Sequence, residues 1–266
     1  EPLAMKVAHR AAREPATMPL AAEMYEFMRE RTPSERAIWE PLLGLYRQMG
    51  DGDRLASVIS STLPNLVDPI ERNALRVQHA RYLIEHLQRH HDAIEILRDA
   101  LGDDPDNIEA AGLLETTLRA IGDDEGLADF LWSRFEDAQK RGARDATIDV
   151  AMRLGALLDA ATSPDAGKVY SQALLVAPDD RELLRQVVAH LGQETEPREA
   201  ALLMERLLAV ETPDNAPALA WHLASTWEQA GDYAGVQRTL ELAHRAAPGD
   251  QAVHDRLEHW YRETSQ

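Results

Sequence analysis

Cysteine is absent from the chain, which excludes a disulfide framework, a thiol nucleophile and a thiolate metal site. Basic side chains are scarce as well. Against 46 Asp and Glu there are only 28 Lys and Arg, a formal net charge of -18. Such a surface repels a phosphate backbone, so no nucleic acid partner is expected. No apolar run approaches the roughly 20 residues that a membrane-crossing helix requires, and no direct membrane insertion is expected. The opening Glu1-Pro2-Leu3-Ala4-Met5-Lys6 lacks the basic and apolar regions of a signal peptide. A chain that starts on Glu reads as a processed or excised piece of a longer protein. A cytoplasmic location is favoured, with a periplasmic or envelope-associated one open if a signal segment was removed. The chain also lacks a phosphate-binding Gly-rich loop, a GxSxG elbow, a kinase motif set and a dinucleotide fingerprint. No catalytic residues and no cofactor are therefore expected.

Aromatics are few, at 5%, while 44% of the chain is apolar and Ala, Leu, Glu, Asp and Arg are abundant, a mixture that favours helix over strand. The apolar and small residues recur with a fixed period. From Pro217 to Asp250 the chain reads PALAWHLASTWEQAGDYAGVQRTLELAHRAAPGD. Leu223, Ala224 and Trp227 precede a Gly231-Asp232-Tyr233 turn, and Leu240, Ala243 and Pro248 follow it. Small residues let two antiparallel helices approach, Gly ends the first, and Pro stops the second. The register returns with Trp39, Leu42, Tyr46 and Gly50-Asp51, and again with Ala93, Leu97, Ala100 and Pro105. Leu114, Leu118 and Gly122-Asp123 continue it, followed by Ala166, Tyr170, Ala173 and Pro178, and then by Val187, Leu191, Ala200 and Met204. The units beginning at Ala74 and Ile108 lie 34 residues apart, as do those at Thr147 and Arg181. A weaker first unit near Pro2 carries Ala8, Ala21 and Tyr25.

This pattern resembles the tetratricopeptide repeat across nearly the whole chain. The resemblance implies an all-α, right-handed superhelical solenoid of antiparallel helix pairs. It would form a single domain over residues 1–266, with about seven hairpins starting near 2, 36, 74, 108, 147, 181 and 217 and a C-terminal capping helix over 251–264. Extra residues between Leu63 and Arg72, and between Gln139 and Asp145, interrupt the period as longer loops or helix extensions.

In such a fold the first helix of each pair lines a concave groove, and the family's groove positions transfer here to Arg47, Gln78, Tyr82, Arg119, Arg185, Trp221, Ser225 and Glu228, with Gln193 among their neighbours. The expected function is a non-catalytic scaffold that holds a protein or peptide partner, whether an extended peptide, a helix or a partner subunit, in that groove. The alternative is a ligand-responsive repeat domain that controls an effector domain absent from this chain. The Lys and Asn clamp of the chaperone-binding subgroup is missing, since Glu40, Gly44, Gln78, Tyr82, Gly112 and Thr116 occupy its positions. His86 and His90 are spaced to share a helix face, with His91 beside them, but without a further ligand they read as a solvated helix end rather than a metal site. The acids at 103–104, 123–125 and 179–180 fall at turns and helix starts, where they cap and face the helix dipole.

Overall fold

Three Gly-Asp dipeptides show how this sequence makes its helix pairs. Gly50, Gly122 and Gly231 each end a helix at φ near +70°, the left-handed region that a residue without Cβ enters freely. The aspartate that follows opens the next helix. The Asp51, Asp123 and Asp232 carboxylates accept the backbone N–H of Arg54, Gly126 and Gly235 at 3.1, 2.9 and 2.8 Å. One dipeptide thus closes one helix and caps its successor.

The structure is a computed structural model that describes residues 3–192 and 195–264; Pro2 and Gln193 lie outside it. The described residues form fifteen α-helices and no strand. These are α1 (Leu3–Ala11), α2 (Met18–Arg29), α3 (Arg36–Met49), α4 (Gly52–Thr62), α5 (Pro69–Leu87), α6 (His90–Asp103), α7 (Ile108–Ile121) and α8 (Asp124–Lys140). They continue as α9 (Arg144–Ala160), α10 (Asp165–Val176), α11 (Arg181–Ala189), α12 (Pro197–Val210), α13 (Ala216–Gln229), α14 (Tyr233–Ala246) and α15 (Gln251–Thr264). Substantial packing runs between chain neighbours, such as α5 on α6, α9 on α10 and α13 on α14, or to the next helix but one, as α5 on α7 and α12 on α14. That near-neighbour pattern is the signature of a stacked helical repeat.

The chain forms two compact units, residues 1–127 and 128–266. In the first, Ala8, Ala21, Tyr25, Leu42, Leu55 and Ile59 are wholly sealed from solvent, and Trp39 and Tyr46 pack with them. In the second, Ala220, Leu223, Ala224, Trp227, Val236, Leu240 and Ala243 form a continuous core that extends to Val253 of α15. Leu257 and Trp260 add partly buried surface there. Each large apolar side chain so buried contributes about 2 kcal/mol.

Close helix approach depends on two glycines in the second unit. A Cβ on Gly155 would stand 2.2 Å from the ring of Tyr170, and one on Gly235 would stand 2.5 Å from the indole of Trp227.

The extra residues that interrupt the period are absorbed mainly as helix. After a short turn of 3-10 helix at Leu63–Asn65, α5 starts five residues before Ala74, at Pro69, and runs for 19 residues. Asp68 caps it by accepting the Ile70 N–H at 3.0 Å, and Pro69 supplies the first helical φ without losing a needed donor. Similarly, α8 and α9 extend to 17 residues each. By contrast α11 stops after 9 residues. His190 ends it with a backbone N–H shared between the Gln186 and Val187 carbonyls, and Leu191 and Gly192 leave the helical path.

Candidate functional site

The first helices of the first unit line a groove. Trp39 and Arg36 of α3, Ile70, Glu71, Ala74 and Gln78 of α5, and Glu109 of α7 surround a depression of about 550 Å³. It shares Ile70, Ala74, Val77 and Glu109 with a second depression of about 460 Å³ that reaches Asp104 and Asn107. At the other end of α5, Gln78 and Arg81 pass into a smaller one of about 240 Å³ with Arg47, Tyr82, Glu85 and His86. Arg47, Gln78 and Tyr82, three of the residues expected to bind a partner, therefore meet in one place.

Their surroundings differ. Gln78 is exposed, whereas Tyr82 is 91% buried beneath His86, with ring centroids 4.8 Å apart. Arg47 is half-buried, and its Nη2 is closed off from solvent without an acceptor among the described residues. Cations elsewhere in the groove are already matched. Arg36 donates to Glu40 from both Nε and Nη2 at 3.0 Å, and Arg81 pairs with Glu109. The hydrogen bond from Arg36 holds the Glu40 carboxyl below the usual range. Arg119, at the end of α7, is exposed and donates to Glu115 at 3.0 Å along its own helix.

In the second unit three of the expected partner-binding residues, Arg185, Trp221 and Glu228, contact other parts of the chain. Arg185 on α11 grips Glu211, just past α12, through Nε at 2.8 Å and Nη2, while Nη1 donates to Glu182 at 2.9 Å. The Glu211 side chain is only 3% exposed and also accepts the Thr212 N–H at 2.7 Å. The Arg185 hydrogen bond above all, helped by Thr212, lowers its carboxyl to about 2. Trp221 is 37% exposed, with the Arg256 guanidinium of α15 lying 5.4 Å over its ring. Arg256 also donates to Glu228 at 3.1 Å, so two of the three candidates on α13 face the last helix. Ser225 is exposed between them.

Two further polar clusters are structural. Tyr170 donates its phenol to Asp159 Oδ2 at 3.0 Å, and His190 Nε2 lies 2.7 Å from Oδ1, tying α9, α10 and the end of α11 together. Burial opposes the charge on His190, but the Gln186 carbonyl and Asp159 together raise its imidazole above the usual value. In the first unit His79 is 95% buried, and neither ring nitrogen has a partner among the described residues. Burial, reinforced by Arg89, holds it neutral down to about pH 4. Among the described residues no three His, Asp or Glu side chains are grouped to hold a metal ion, and no helix is long and apolar enough to cross a membrane.

Sequence reasoning missed Arg36, Ile70, Glu71 and Arg81 as groove residues. Ile70 and Glu71 lie on the turn that α5 adds ahead of the repeat register, so no family position points to them. The Asp68-Pro69 pair was the available signal, because an aspartate before a proline marks a helix start.

No family model matches the chain, and no curated protein matches it. Solved structures do. The C-terminal part of a TPR repeat-containing protein from Cytophaga hutchinsonii is 12% identical, covers 94% of this chain and 98% of its own, and has a TM-score of 0.40. YrrB, described as a TPR protein with an unusual peptide-binding site, is 16% identical over 69% of this chain and 91% of its own, with a TM-score of 0.36. The TPR2AB domain of yeast Sti1, in a complex with pHSP90, is 15% identical over 98% of this chain and 97% of its own, with a TM-score of 0.37. The chain is similar to each of these as a tetratricopeptide-like array of helices.

Proposed function

We propose that this tetratricopeptide-like chain is a non-catalytic protein-interaction scaffold that holds a polypeptide segment against the first helices of its first unit. The observation that carries this reading is the unbroken succession of depressions along α3, α5 and α7, connected through Gln78 and Arg81 at one end and Ile70, Ala74 and Glu109 at the other. A groove about as long as the 19-residue α5 spans roughly 28 Å at 1.5 Å per residue. That length suits a segment of several residues, held by many modest contacts rather than by one deep pocket. The corresponding α13 face of the second unit supports this role less well, because Arg256 already occupies Trp221 and Glu228.

Photo-crosslinking tests the reading directly. A benzophenone amino acid replacing Gln78, exposed in the groove, is expected to trap a discrete polypeptide in native extract. The same group replacing Glu95, exposed on the second helix α6, is expected to trap none. Trapping from Glu95 alone would move the binding surface to the opposite helices.

A further inference from the structure

We infer that the groove selects a segment in which Lys or Arg flanks an apolar anchor, the cation meeting Glu71 and the anchor seating on Ile70 and Ala74 beside Trp39. This deepens the scaffold reading and rests on it. Each groove arginine at this end is committed, Arg36 to Glu40 and Arg81 to Glu109, while Asp103 is shared by Arg72 and Arg76. Glu71 is left over. It is half-buried on the groove wall and has neither an ion pair nor a hydrogen bond among the described residues. Its field reaches Arg36, but that guanidinium is already bound by both of its ends to Glu40. A half-buried carboxylate that no hydrogen bond or close ion pair engages is open to a cation brought by the occupant.

Ile70 is 80% exposed and Ala74 is exposed on the same groove wall, and Ile108, at the start of α7, is 83% exposed. Exposed Ile70 and Ala74 on the same wall as the Glu71 carboxylate match a segment that carries both an aliphatic and a basic side chain. Trp39, 96% buried, forms part of the same wall, and its Nε1–H has no acceptor among the described residues. It is also the only tryptophan of the first unit, which makes it a local reporter.

The test uses the full chain labelled with fluorotryptophan, the Trp39 fluorine resonance being assigned by its loss in Trp39→Phe. Three acetylated and amidated probes of equal length are titrated: Lys-Leu-Ser repeats, Glu-Leu-Ser repeats and Lys-Ser-Gly repeats. The Lys-Leu-Ser probe is expected to shift the Trp39 resonance saturably, and the other two to leave it in place. Glu71→Lys should weaken that binding about tenfold, whereas Asp124→Lys, which makes the same change of net charge at the start of α8, should alter it less than about twofold. Equal weakening by both variants would mean that the probe senses only overall charge, and would overturn the inference. So would the absence of any Trp39 shift. A shift by the Glu-Leu-Ser probe instead would overturn the selectivity while leaving the groove scaffold standing, and crosslinking at Gln78 judges that scaffold separately.

Discussion

Replacing Gly155 by valine is expected to lower the stability of the second unit by about 3 kcal/mol, the upper part of the range for forcing extra atoms into a packed core. Even the first added carbon would stand 2.2 Å from Tyr170 Cζ and 2.5 Å from its hydroxyl. Tyr170 cannot yield easily. It is 99% buried and its phenol is bonded to Asp159, so moving the ring breaks the tie that also holds His190. Thermal unfolding followed by circular dichroism should show the melting transition falling by about 6–10 °C. The control is Gly112→Ala on α7, where an added Cβ meets nothing within 4 Å. There the better helix propensity of alanine should raise stability slightly, by about 0.8 kcal/mol. Equal melting of the Gly155 variant and the parent would show that α9 and α10 do not pack this closely.

Arg185→Ala is expected to melt several degrees lower as well, and to change how stability depends on pH. The sequence presents Arg185 as an exposed groove cation that a partner would contact and folding would not miss. The structure gives it Glu211 instead, a carboxylate with only 3% of its side chain exposed. Removing the arginine strands that charge, which is more damaging than never having built the pair. The sign of the pH effect follows from Glu211. Its carboxyl is lowered from 4.5 to about 2 in the folded chain, so its contribution is present above about pH 4.5 and is lost as the pH falls toward 2. Arg185→Ala should abolish that loss, because the variant has little left to lose in that window. Buried His79 adds a separate acid sensitivity. Its imidazole is lowered from 6.5 to about 4, so the unfolded chain takes up a proton that the folded chain refuses, and stability declines as the pH falls from 6.5 toward 4. Chemical denaturation of the parent, Arg185→Ala and His79→Leu between pH 7 and 3 separates the two windows. An Arg185 variant as stable as the parent at neutral pH would return that residue to the free surface.

What was legible in the sequence and what was not divides along a physical line. Helix pairing was legible, because Gly-Asp turns and buried small residues act within a few positions of one another. Gly50, Gly122 and Gly231 take the left-handed conformation, and Ala8, Ala21, Ala93, Ala100, Ala166, Ala173 and Ala243 are all fully buried. Trp39, Tyr46 and Trp227 lie in the core for the same reason. Contacts between groups far apart in sequence were hidden. Glu211 lies 26 residues from Arg185, and Arg256 lies 28 from Glu228, so no local pattern reveals that either pair forms. The added turn of α5 was hidden too, because it falls outside the repeat register that places the groove residues.

Hydrogen exchange of the full chain, with and without the partner trapped from Gln78, tests most directly whether the first helices of the first unit form the binding surface. Binding along the groove should slow exchange in residues 36–49 and 69–87, which form α3 and α5, and leave residues 52–62 and 90–103, which form α4 and α6, as they were. Slowed exchange confined to α4 and α6 would contradict the account and place the partner on the second helices.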